Sequence, residues 1–285
     1  MTLQELLAPK EMEFFDKHWN RLGNRKEHIQ RLQHITGVHA SYLTGGQAGK
    51  DFRQASIATK MSWAAGRRAT KREDRAYSLL GIFDVQMSPI YGEGGQKAFR
   101  RLQRAILENS ADESLFAWTL PISGWTPRPQ NWTADEWGLL APSIDCFRES
   151  GNVTINGQLR TRAFGGCRIT PQGVEFPVPI SEWYKEARPG NVAKWIPFYN
   201  VKVVKDGHRR RDENGFALTL NCWRLGPRRE RHAVQVFLRK SGGSSKNTTW
   251  RRFSCFELGS GGDSAASSVG TIGMEAAMRL IIEQP

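Results

Sequence analysis

The run Tyr91-Gly92-Glu93-Gly94-Gly95-Gln96-Lys97 invites a phosphate-binding reading, because glycines ahead of a helix expose backbone amides to anions. It lacks the G-x-x-x-x-G-K-[ST] spacing of a P-loop, and Ala98 stands where a Mg²⁺-binding hydroxyl belongs. No strong parallel-strand pattern precedes it, so a tight turn entering a helix is expected. Glu73, Asp74 and Arg75 offer an acid pair beside a cation, but such a trio reads first as a helix N-terminal charge pattern with a local ion pair. The histidines at 18, 28, 34, 39, 208 and 232 are scattered, and His28 and His34 do not share a helix face, so no metal is expected. Ser62, Ser78 and Ser114 sit in no G-x-S-x-G elbow. Glu5 stands three residues after Thr2, the spacing of a capping box, which by itself explains the residue.

The positions of these groups depend on what the chain can fold. Its 285 residues suffice for one large domain or two modest ones, and 39% hydrophobic with 10% aromatic residues is too rich for disorder. The net charge of +13 attracts acidic surfaces, yet it is widely spread. Its densest run, His208-Arg209-Arg210-Arg211, is followed at once by Asp212 and Glu213. A solvated basic surface is the better reading, with a basic nucleic-acid-associated protein as an alternative. Cys146, Cys167, Cys222 and Cys255 form no C-x-x-C pair and lie in apolar surroundings, as reduced core thiols do. Neither a signal sequence nor a bilayer-spanning apolar stretch is evident, so a cytoplasmic location is expected.

Periodicity predicts a short helix closed by Pro9, then a strand and turn over 11–20 with Phe14, Phe15 and Trp19 in the core. A helix over 25–35 buries Ile29, Leu32 and Ile35; one over Phe52–Ala65 buries Ile57, Met61, Trp63 and Ala64 and stops at Gly66. Lys71–Phe83 reads as a helix with Ala76, Tyr77, Leu80 and Phe83 as its buried stripe. Ala98, Phe99, Leu102, Ala105 and Ile106 carry a helix to residue 109, and Phe116 and Trp118 close the block. Residues 121–135 read as a Pro- and Trp-rich linker or covering loop. Beyond it, alternation over 174–180, 216–222 and 234–238 predicts strands, the first marked as an edge by Pro177 and Pro179. A Gly/Ser segment then leads to a short amphipathic helix with Met274, Met278, Ile281 and Ile282 on one face.

The expected fold class is α+β, a mainly helical N-terminal part followed by an antiparallel β-rich domain, sandwich or open barrel. The expected division is 1–24, 25–120 (helical), 121–257 (β-rich) and 258–285 (linker and terminal helix).

The string MSWAAGRRATKREDRAYSLLGIFDVQMSPIYGEGGQKAFRRLQ, followed by DESLFAWT, resembles the region that follows the HET domain in fungal heterokaryon-incompatibility proteins. MTLQELLAPKEMEFFDKHWNRLG looks like the end of the HET domain itself, and GLLAPSIDCFRESGNV with ITPQGVEFPVPI resembles the β-rich segment that comes next, so the likeness covers roughly residues 1 to 240. The resemblance implies a part in self/non-self recognition and programmed death of fused cells, with protein partners or self-association and without membrane or nucleic acid. HET domains are similar to TIR-type domains, some of which cleave NAD. By position Glu5 matches the glutamate of the family's T-L-Q-E motif, a candidate catalytic residue in a complete domain; the rest of the HET motifs are missing, so a truncated form without catalysis is expected. No cofactor and no metal are implied for this chain. The alternative is the tail of an NAD-consuming effector enzyme. Ser88, where family members often have proline, and the extra Gly95 depart from the pattern in a loop.

Overall fold

The computed structural model describes residues 2–44, 49–121, 132, 136–155, 167–171, 173–179, 183–186, 194–197, 202–205, 208–211, 215–228, 230–244, 247–253, 259–261, 277–282 and 284. Helices and mainly antiparallel strands make it α+β, in two compact units: 1–109 with 142–154, and 110–141 with 155–285. The linker expected at 121–135, Cys255, Met274 and most of the Gly/Ser segment lie outside the described residues.

The first unit opens with α1 (Leu3–Leu7), started by the expected capping box: Glu5 N–H donates to Thr2 Oγ1 at 3.2 Å and Thr2 N–H to Glu5 Oε2 at 2.6 Å. A hairpin follows, β1 (Glu13–Phe15) against β2 (Arg21–Asn24). Its turn is set by Asp16, whose Oδ1 accepts from the amides of His18 and Asn20, each at 2.8 Å. That turn puts Trp19 in the left-handed region at φ 64° and swings its ring outward. The core positions expected for Phe15 and Trp19 are therefore wrong: they are 44% and 81% exposed, and Phe14 is half-buried.

Next come α2 (Ile29–Thr36), which ends at Gly37 in the left-handed region, and the single turn α3 (Ala40–Leu43). Leu32 is buried as expected, whereas Ile35 faces solvent. The helix expected over Phe52–Ala65 is interrupted. A 3₁₀ turn spans Phe52–Gln54, Ala55 and Ser56 are extended, and α4 runs Ile57–Ala64 from the Ser56 cap. Ser56 Oγ accepts from Thr59 N–H at 3.1 Å, which fixes where this helix begins, and the Ser56 and Thr59 hydroxyls both donate to Val153 O, at 2.6 and 2.7 Å.

The helix expected over Lys71–Phe83 is two short pieces, α5 (Asp74–Tyr77) and α6 (Leu80–Phe83). The amides of Ala76, Leu79 and Ile82 reach back three residues to Glu73, Ala76 and Leu79, while those of Tyr77, Ser78 and Phe83 reach back four, so the coil is locally tightened between two α-helical turns. Ala76, Leu79 and Ile82 are consequently the buried line, in place of Tyr77, Leu80 and Phe83. The longest helix, α7 (Gly95–Asn109), buries Ala98, Phe99, Leu102 and Ile106 as its pattern predicts. A 3₁₀ turn at Ile144–Phe147 and the start of β3 (Val153–Ile155) complete this unit.

In the second unit Phe116 and Trp118 lie in or just after a 3₁₀ turn (Glu113–Phe116) and are fully buried. Its strands are β4 (Arg168–Thr170), β5 (Gly173–Pro179), β6 (Trp183–Glu186), β7 (Lys194–Pro197), β8 (Lys202–Lys205), β9 (His208–Arg211), β10 (Gly215–Leu225), β11 (Arg231–Ser244), β12 (Asn247–Phe253), β13 (Gly259–Gly261) and β14 (Ala277–Ile282). The main sheet runs β10-β11-β12-β14-β5-β4, with β13 on β11; β6-β7 and β8-β9 are separate two-stranded sheets. Pairing is antiparallel except for β12 with β14.

Two expectations fail here. The terminal segment is the strand β14, because it pairs with both β5 and β12, and tertiary pairing overrides a weak helical period. The same pairing places β5 inside the sheet. Its prolines are accommodated because β4 pairs only Gly173 to Glu175, so Pro177 and Pro179 lie beyond the end of that neighbour. Along β10 the alternation expected for Leu218, Leu220 and Cys222 holds, but Asn221 and Trp223 are buried too. A register shift explains them: Thr219 opposes Gln235 while Trp223 opposes Ala233. In the bulge Asn221 N–H donates to Glu113 Oε2 at 2.8 Å.

Candidate functional site

The glycine run forms a turn held by carboxylates of its own unit. Gly92 and Gly94 adopt φ values of 93° and 85°, which side chains disfavour, and both amides donate to Glu73 Oε1, at 3.0 and 3.1 Å. Glu73 thus fills the anion-binding nest that the glycines create. Amide hydrogen bonds, from its own N–H first and then from Gly94 and Gly92, hold its carboxyl below the usual glutamate range against the opposing effect of burial. Gly95 is needed for a different reason. A Cβ there would stand 2.9 Å from the carbonyl oxygen of Arg72.

A second chain of contacts fixes the same loop from the other side. The Tyr77 hydroxyl accepts from Ile90 N–H at 2.8 Å and donates to Glu93 Oε1 at 2.6 Å. Arg101, on α7, donates to Glu93 at 2.6 Å and to Ser88 O at 2.7 Å. The Tyr77 and Arg101 hydrogen bonds keep Glu93 ionised below its ordinary pKa. Tyr91 donates to Asp74 Oδ1 at 3.1 Å, and Lys71 Nζ lies 3.9 Å from the centre of its ring.

Arg75, the third member of the acid–acid–cation trio, does not pair locally. Its guanidinium grips Asp145, 70 residues away, through two hydrogen bonds of 2.9 and 2.7 Å. Asp145 also accepts from Gly66 N–H at 2.7 Å, two residues beyond the end of α4, where φ is 76°. Burial raises the Asp145 pKa, but the hydrogen bonds from Arg75 and Gly66 outweigh it and the net direction is downward. A carboxyl depressed on folding adds stability above its unfolded pKa, about 3.9, and loses it as pH falls through the lower folded value. Urea titrations between pH 7 and pH 2 should show that acid loss, and Asp145→Asn should be less stable than the parent at pH 7 while converging with it in acid. Parallel curves at all pH values would contradict this role.

Glu5 sits exposed at the start of α1, and its hydrogen bonds with the backbone and side chain of Thr2 hold its carboxyl below the usual range. Ser62 donates to Thr59 O at 2.7 Å, and Ser114 is buried. No group of three His, Cys, Asp or Glu side chains able to hold a metal occurs among the described residues. Cys146 and Cys222 are buried and in no disulfide, and burial pushes the Cys222 thiol far up, with Asp112 and Glu113 adding to it. No helix among the described residues is long and apolar enough to cross a membrane.

Sequence reasoning missed the buried cation of the second unit. Arg252 is fully buried, donates to Phe116 O at 3.1 Å and to Trp118 O, and lies 3.9 Å over the Trp118 ring. Its backbone exchanges two hydrogen bonds with Trp137, at 2.9 and 3.0 Å, and the Trp118 indole donates to Leu139 O at 2.8 Å. No sequence signal marked it: Arg251 and Arg252 stand side by side, and only the folded strand shows which of them is buried.

The arrangement therefore consists of carboxylates spent on backbone amides and guanidinium groups, around loops that carry exposed side chains. Residues 97–161 match the model of a protein family described as a domain of unknown function, DUF8212. Over 105 residues, 37% of its length, the chain is 43% identical to the vegetative incompatibility protein HET-E-1 of Podospora anserina, and the match spans 7% of that relative. No solved structure matches. The chain is related to a fungal vegetative incompatibility protein over that part of its length.

Proposed function

We infer that this chain is an accessory, regulatory part of a heterokaryon-incompatibility protein, acting in the cytoplasm through protein contacts in fungal self/non-self recognition and the cell death that follows. The observation that carries the reading is the 43% identity with HET-E-1. Its geometry is in keeping with a role without catalysis. Glu73, Glu93 and Asp145, the carboxylates of the glycine turn and of the Arg75 clamp, are engaged by amides, a tyrosine and arginines, and so are not poised as general bases.

The second reading, the tail of a TIR-like NAD-consuming enzyme, rests on Glu5 standing at the family's T-L-Q-E glutamate. In this chain Glu5 serves the helix cap. The two readings part on NAD turnover by the purified chain: the accessory role expects none, and turnover abolished by Glu5→Ala would overturn it.

A further inference from the structure

We propose that the glycine turn and the first turn of α7 form a docking surface for an acidic protein segment bearing an apolar anchor. This goes beyond the reading above and holds whether or not the chain has catalytic activity. Ile90 and Tyr91 are 50% and 55% exposed, although the backbone carrying them is pinned at Ser88 O and at the amides of Ile90, Gly92 and Gly94. Two large side chains are thus displayed from a loop whose ordering cost has already been met on folding, which favours binding. Tyrosine in such a setting is a common hot spot.

Charge decides the partner. Two carboxylates of the loop are held by groups of the turn and α7, Glu73 by the two glycine amides and Glu93 by Tyr77 and Arg101, while Asp74 accepts from the exposed Tyr91 hydroxyl. The cations are held less closely, Lys71 alone acting on a carboxylate, that of Glu73, through its charge. Lys71, Arg72 and Lys97 are exposed and make no ion pair among the described residues. Lys71 lies over the Tyr91 ring, Arg72 abuts Gly95, and Lys97 is two residues further along α7. The surface is an apolar knuckle whose rim carries three exposed cations against the one carboxylate of Asp74, so acidic side chains complement the rim while an apolar residue covers Ile90. A nucleic-acid phosphate backbone would meet the rim and leave Ile90 uncovered.

The test is fluorescence anisotropy of the full chain with a labelled probe, the peptide Glu-Asp-Glu-Leu-Phe-Glu-Asp-Glu. Binding is expected, and it should be lost when Lys replaces the acidic residues or Gly-Gly replaces Leu-Phe. Tyr91→Ala, and separately Lys71→Glu with Lys97→Glu, should each weaken it about tenfold or more. Trp19→Ala, at an exposed aromatic elsewhere on the unit, should leave affinity unchanged. Melting curves confirm that each variant is folded, and Ile90→Ser takes the place of Tyr91→Ala if the latter unfolds. Absence of binding, equal binding of the Gly-Gly peptide, insensitivity to the Tyr91 and lysine changes, or tighter binding to phosphatidylserine vesicles or single-stranded DNA would each overturn the proposal.

Discussion

Arg252→Met should destabilise the second unit by about 3 kcal/mol, the cost of leaving two buried carbonyls without their charged donor. The estimate weighs opposing effects. Methionine fills much of the space and removes the penalty of burying a cation, which alone would favour the variant. Against that, Phe116 O and Trp118 O stay buried and lose their donors, and the guanidinium's contact with the Trp118 ring is lost. The carbonyls decide, because they belong to the backbone and cannot be substituted away. Arg252→Lys should retain part of the stability, since an ammonium lacks the planar fork that serves both oxygens. Urea unfolding followed by tryptophan fluorescence measures this, and a methionine variant as stable as the parent would show that the carbonyls find other donors.

Trp118→Ala should cost about 3–5 kcal/mol, the range for truncating a large aromatic in a packed core. Trp118 is fully buried, and its indole N–H satisfies Leu139 O at 2.8 Å. Trp118→Phe should cost less, because the ring that Arg252 covers is largely kept. The two substitutions share an interface, so the double variant Arg252→Met with Trp118→Ala should be less destabilised than the sum of the singles. Additivity within experimental error would mean that the stacked pair does not act as a unit.

Helix α7 and the α1 cap were legible in the sequence because their causes are local: a clean 3.6-residue period in one case, a Thr–Glu spacing in the other. Residues 71–83 were misread for a physical reason. Their apolar residues fit a 3.6 period about as well as a period of three, and only the folded chain, with its mixed i→i+3 and i→i+4 hydrogen bonds, shows which line is buried. Long-range partners were invisible. Nothing in the order of residues says that Arg75 meets Asp145, or that Glu73 rather than a ligand occupies the glycine turn. The glycines and the acidic residues were both noticed, but as separate features. Likewise Ile281 and Ile282 suit a helix face and a strand alike; pairing with β5 and β12 settled the matter.

The surface residues were the least legible. Trp19 and Phe15 read as core from their chemistry alone, and only the Asp16 turn, with its two amides on one carboxylate oxygen, sends Trp19 outward.

If, as proposed above, this chain contributes contacts and not chemistry to an incompatibility protein, it turns over no NAD. Chromatographic measurement of NAD loss and nicotinamide release, with the purified full chain at micromolar concentration beside its Glu5→Ala variant, tests it most directly. Both samples are expected to consume NAD no faster than buffer. Release of nicotinamide by the parent chain, abolished in Glu5→Ala while the melting curve shows the variant folded, would contradict it.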